Sequence, residues 1–191
     1  METSELYLAL DTETGGLGDK VSLLSLYVQI LDKNFNKLDE IELFTKPNDG
    51  IYMVEAGGLA INKINLIEHD KVALTYSDAG QKLYKFLQKN SRNGELKLIP
   101  LGKNVHFDME GVYRTLVQKK SVDKFVSYRA IDITTLARCL QIQGKIPAGM
   151  SLSLGSLYDY LKLTGTVIGN AHEAKFDTEV TVAVFKELLK L

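Results

Sequence analysis

The sequence predicts an α/β fold, a mixed sheet with helices on its faces, and three observations carry that prediction. Near the N-terminus Leu6, Leu8 and Leu10 alternate with Tyr7 and Ala9 in an unbroken apolar stretch, the pattern of a strand buried on both faces. Two further apolar runs are separated by Lys33-Asn34-Phe35-Asn36-Lys37, a loop of hairpin length, so the sheet opens with an antiparallel pair. Strand and helix patterns then alternate to the C-terminus, which places helices against the sheet.

In chain order, strands are predicted over Tyr7 to Leu10, Leu23 to Asp32, Leu38 to Thr45, Leu96 to Ile99 and Ser127 to Ile131. Helices are predicted over Ser77 to Lys89, Val105 to Gln118, Ile133 to Gln141, Ser153 to Leu161 and Ala174 to Leu189. At the end of the first strand stand Asp11 and Glu13. Side chains two apart on a strand share a face, so both acids leave it in one direction before Gly15-Gly16 stops it. After the turn at Gly102, Val105, Met109, Val112 and Leu116 recur at spacings of three and four, which starts a helix near Asn104 and puts Asp108 one turn in. Asp132 precedes its helix as an N-cap. In the last helix Phe176, Val180, Val184 and Leu188 form an apolar stripe, Asp177 sits at its margin, and His172 precedes it in a loop with Gly165 and Gly169.

Taken singly, these residues have ordinary readings. An Asp at a strand end is commonly a turn former or a cap, and a lone His is commonly a surface residue. His69, among Glu68, Asp70 and Lys71, is expected to be solvated, and Tyr158 and Tyr160 to be packing residues. His106 is not expected to bind metal, because a cluster of hard oxygen donors is the better site. Jointly, four carboxylates and one imidazole are what a two-metal phosphodiester hydrolase requires.

Composition narrows the class. A chain of 191 residues is most simply one domain, residues 1–191. A single cysteine, Cys139, forms no internal disulfide and suits a reducing compartment, and no apolar stretch reaches the ~20 residues of a membrane span, so a cytoplasmic protein without a membrane partner is expected. With Lys+Arg 23 against Asp+Glu 24 the net charge is -1, which argues against a long electrostatic tract along duplex nucleic acid. Lys103, Lys119, Lys120, Lys124 and Arg129 either supply local guidance to a substrate or form a solvated face.

Leu8-Ala9-Leu10-Asp11-Thr12-Glu13-Thr14-Gly15-Gly16-Leu17, Gly102-Lys103-Asn104-Val105-His106-Phe107-Asp108, and His172 with Asp177 and Thr181 resemble, in order, the three motifs of the DEDDh group of proofreading exonucleases. A sister group carries tyrosine where this chain has Glu173. The resemblance implies a ribonuclease H-like fold with a five-stranded sheet, and two divalent ions, Mg2+ or Mn2+, held by Asp11, Glu13, Asp108 and Asp177. It implies His172 as general base, a role that suits an imidazole at neutral pH, and release of nucleoside 5′-monophosphates from a free 3′ end. Thr14, Leu17, Asn62 and Asn104 are then expected to contact substrate; a core role for Leu17 is a close second reading, and Asn62 stands where many members carry histidine. DNA with a single-stranded 3′ end is the favoured substrate. RNA or oligoribonucleotide hydrolysis, and a non-catalytic nucleic-acid- or polymerase-binding module of the same fold, stay open, as does a polymerase or homodimer partner.

Overall fold

The structure, a computed structural model, describes residues 5–191. A central mixed sheet runs in the order β4-β3-β2-β1-β5-β6. Its strands are β1 (Leu6–Thr14), β2 (Leu23–Leu31), β3 (Lys37–Lys46), β4 (Leu74–Thr75), β5 (Leu98–Gly102) and β6 (Ile131–Asp132). The helices are α1 (Ala56–Asn62), α2 (Leu66–Val72), α3 (Tyr76–Asn90), α4 (Val105–Thr115), α5 (Lys119–Val122), α6 (Ile133–Ile142), α7 (Leu154–Tyr160) and α8 (Ala174–Leu188).

The β2–β3 hairpin is antiparallel, as is β1 with β2, whereas β5 pairs parallel to β1 and β6 parallel to β5. Asp32 closes the hairpin by accepting the Asn34 and Asn36 N–H groups, which lets Phe35 take a left-handed backbone with φ 60°. Strand β1 divides the core by its alternation. Leu8 and Leu10 join Leu26, Val28 and Met109 beneath α3 and α4, while Ala9 and Leu31 join Leu157, Val184 and Phe185 beneath α6 to α8. All nine residues of β2 are buried.

The sheet has six strands rather than five, because a two-residue β4 pairs with the end of β3 at Thr45 and Lys46. The strand expected over Ser127 to Ile131 is reduced to Ile131–Asp132 and a single bridge between Leu98 and Val126. Proline accounts for the gap. Leu98 N–H bonds to Phe125 on the β6 side, so residue 100 also faces that side, and Pro100 has no N–H to give. His69 corrects a second expectation: it is buried, with Nε2 3.0 Å from the Thr45 carbonyl and its ring edge against Phe44 and Tyr52. Asp132 is the predicted cap, accepting from Thr134 and Thr135 N–H. Tyr158 is buried and Tyr160 half-exposed, with its hydroxyl on the Lys145 carbonyl. Among the described residues no helix is long and apolar enough to cross a membrane.

Candidate active site

Strand β1 runs four residues further than its apolar stretch, and the ladder to β2 carries Asp11 opposite Tyr27 and Glu13 opposite Ser25. Both acids are thus held on paired backbone, on the face covered by α8. Asp177 lies in the first turn of α8, and ligand oxygens of Asp11, Glu13 and Asp177 all fall within 4.8 Å of one another. Residues 166 positions apart in the chain have been brought to one point.

Asp108 reaches the cluster from α4 on the other side of the sheet. Pairing of β1 with β5 ends at Ala9 and Leu101, leaving the Thr12 N–H without a strand partner. Asp108 takes it: Oδ1 accepts from Thr12 N at 3.0 Å and from Thr12 Oγ1 at 2.6 Å. Gly102 makes this approach possible, since a Cβ there would lie 2.9 Å from the Val105 Cβ. Asp177 is fixed differently, accepting the His172 backbone N–H at 3.2 Å through Oδ2. His172 has a left-handed backbone, φ 68°, and its exposed side chain lines the mouth of the same cleft.

Helix α1 closes the far wall by packing on the Gly15-Gly16 turn. A Cβ at Gly58 would sit 2.5 Å from the Gly15 carbonyl oxygen, so only glycine allows the approach. Glu55 accepts the Leu17 N–H at 3.1 Å, and Asn62 donates to the Thr14 carbonyl at 2.9 Å while its own Oδ1 accepts from Ile64. The Asn62 amide therefore ties α1 to β1. Leu17 is 84% exposed, which excludes the core reading, and with Ile61 (56%) and Phe107 (44%) it gives the cleft apolar walls. Neither Ile61 nor Phe107 was singled out in the sequence, although Ile61 stands beside Asn62, in a segment that resembles the one packing beside the terminal nucleotide in the DEDDh group, and Phe107 sits in the second motif, beside its acid. Asn104 lines the cleft at the start of α4, with φ 53°. The whole cleft measures about 570 Å³.

Its electrostatics are those of crowded acids. Burial, with the charges of Asp177 and Asp108, pushes the Glu13 carboxyl up to about 8. Burial raises Asp108 to about 7 despite the two Thr12 bonds that favour its charged form. Asp11 is held well above the carboxylate range by burial and by Asp108, Asp177 and Glu13, and Asp177 is raised as well. Such a cluster keeps protons or takes a cation. Oxygen ligands within 4.8 Å of one another suit a hard divalent ion.

Of the basic residues considered for guidance, only Lys103 lines this cleft. Lys119 and Arg129 line a larger groove of about 770 Å³ at the opposite end of β1 and β5, where acids and bases alternate and Lys119 is paired with Asp123.

No protein-family model matches the chain, and no curated protein matches it in sequence. Solved structures do match. The zinc-bound E. coli exonuclease I complex with single-stranded DNA aligns with a TM-score of 0.76 at 20% identity, over 98% of this chain and 41% of that one. The same enzyme with a dT13 oligonucleotide gives 0.72 and 21% over 95% and 40%. A moderately thermophilic exonuclease I from Methylocaldum szegediense gives 0.72 and 18% over 97% and 40%. The fold is the ribonuclease H-like one predicted from the sequence, and the chain spans about two fifths of the length of these neighbours.

Proposed function

We propose that the chain is a metal-dependent 3′-5′ exonuclease that shortens DNA from single-stranded 3′ ends, acting as one catalytic unit built on its single sheet. The observation that carries this is the convergence of Asp11, Glu13 and Asp177 within 4.8 Å, beside Asp108, in a cleft walled by apolar side chains. A pure binding module has no use for buried acids that repel one another. E. coli exonuclease I, whose fold this chain shares, is solved with single-stranded DNA and with zinc bound, which supports both the substrate class and a metal site.

In this reading Asp11, Glu13, Asp108 and Asp177 hold two divalent ions, Mg2+ or Mn2+. When bound, such ions act as Lewis acids on the attacking and leaving oxygens of an in-line displacement at phosphorus. The protein's own part is positional. The β1 ladder fixes Asp11 and Glu13, Thr12 fixes Asp108, and the His172 backbone fixes Asp177. The His172 imidazole, at the mouth of the cleft, takes a proton from the attacking water. Leu17, Ile61 and Phe107 present apolar surface to the terminal base, with Glu55 holding the Leu17 backbone, and Thr14 and Asn104 border the sugar and phosphate.

The test is to incubate 5′-labelled single-stranded DNA, duplex DNA and RNA with the protein and Mg2+ or Mn2+, with EDTA controls. Stepwise shortening of single-stranded DNA from the 3′ end, abolished by EDTA, is expected. Faster shortening of RNA would move the substrate to the alternative class. Inertness on all three with either metal, or internal cuts in circular DNA, would overturn the proposal.

A further inference from the structure

Lys103 is set apart from every other cation of this molecule by its place. It stands in the two-residue bend between β5 and α4, held by the strand behind it and by the helix that carries Asp108. Among the described residues it is the one lysine or arginine that lines the acidic cleft. Its field is felt by Asp11, Asp108 and Asp177, each of which it eases toward the charged form. Yet among the described residues its ammonium forms no ion pair and no hydrogen bond with any of them, in contrast to Lys37, Lys46, Lys71, Lys89, Lys119 and Lys190, all of which are paired. A half-buried lysine at four carboxylates, not spent on any, has three donors available for an anion that enters the cleft.

Building on the exonuclease reading above, we propose that Lys103 is a substrate-binding residue whose ammonium holds a non-bridging oxygen of the terminal phosphate. A strand entering this cleft brings an anion toward a floor of carboxylates, so positive charge on the protein is required beside whatever the acids bind. An ammonium serves as a compact point charge on a flexible stem and places its donors without demanding a planar partner. The bland alternative is a counter-ion that merely damps repulsion among the acids. The two differ in what they hold: a counter-ion acts on the acids' affinity for metal, and a phosphate ligand acts on the affinity for the nucleotide.

Deoxythymidine 5′-monophosphate and thymidine, titrated calorimetrically into the Mn2+-loaded protein, separate these cases without turnover. In Lys103→Met the monophosphate is expected to bind at least tenfold more weakly while thymidine binds as in wild type. Lys103→Arg is expected to keep most of the monophosphate affinity, whereas a change in Lys103→Met confined to Mn2+ affinity, with monophosphate binding intact, would mark Lys103 as a counter-ion and overturn its assignment. Equal monophosphate affinity in wild type and Lys103→Met would overturn the assignment of Lys103 and leave the exonuclease reading standing. A wild-type protein that binds Mn2+ but neither monophosphate nor DNA would overturn both.

Discussion

Asp11 and Tyr27 face each other across the β1–β2 ladder, and each belongs to a different collection of carboxylates on the same face of the sheet. On the Tyr27 side, its hydroxyl donates to Glu40 at 2.5 Å, Lys37 pairs with Glu40 at 2.5 Å, and Gln29 donates to Glu179 at 3.3 Å. Every acid there has a donor, and the Lys37 ammonium and the Tyr27 hydroxyl hold the Glu40 carboxyl below its usual value. On the Asp11 side the acids have mostly one another, and Glu13 is driven up to about 8. The first arrangement stabilises a folded chain and does nothing else. The second costs stability, and under the proposed function that cost is kept because the uncompensated charge is what would bind metal.

The largest contrast is expected in activity. Asp11→Asn keeps the side-chain volume but removes a charge from the cluster, and should abolish 3′ shortening of labelled DNA. Glu40→Gln should leave the product ladder intact and cost at most about 1 kcal/mol in chemical denaturation, since its ion pair is well exposed. Equal activity of both variants would break the contrast. Next in size, His172→Ala should lower the maximal rate by roughly 10² to 10⁴-fold, the range for positioned proton transfer. Its Mn2+ affinity by calorimetry should stay at the wild-type value, because only its backbone N–H touches an acid. A large loss of metal affinity would turn the base into a ligand.

Much of this site was legible in the sequence because its acids sit where local rules are strong. Period-two alternation puts Asp11 and Glu13 on one face, and the stripes of α4 and α8 fix the turn on which Asp108 and Asp177 fall. The helices α3, α4, α6, α7 and α8 begin within a residue of their predicted starts. What escaped depends on long-range contact. Helix α1 contains Gly57-Gly58, poor helix formers, and exists where Gly58 meets Gly15. Helix α2 had a readable cap, Asn65 accepting from Ile67 and Glu68, but charged neighbours hid the one buried position at His69. The strand predicted to stop at Ile99 runs through Pro100 to Gly102, and the proline interrupts the neighbouring pairing between the Leu98 bridge and Leu101. Lys103 looked like one surface lysine among several until the fold placed it at the acids.

The stability of the metal-free cluster tests the central claim most directly. A carboxyl raised in the folded state binds its proton more tightly there than in the unfolded chain. Stability is therefore lost as pH rises from the unfolded value, about 4 to 4.5, through the folded values of about 7 for Asp108 and about 8 for Glu13. The measurement is the melting midpoint of wild type and Asp108→Asn from pH 5 to pH 8, in EDTA and in Mn2+. In EDTA the wild-type midpoint should fall across this range, and Asp108→Asn, which keeps an oxygen for Thr12, should melt higher at pH 8 and close to wild type at pH 5. Mn2+ should reverse the order at pH 8, because a ligand at a hundredfold excess over its Kd adds about 2.7 kcal/mol to the protein that binds it. Midpoints that are the same for both proteins, flat with pH and indifferent to Mn2+ would mean that these carboxylates do not form one metal-binding site.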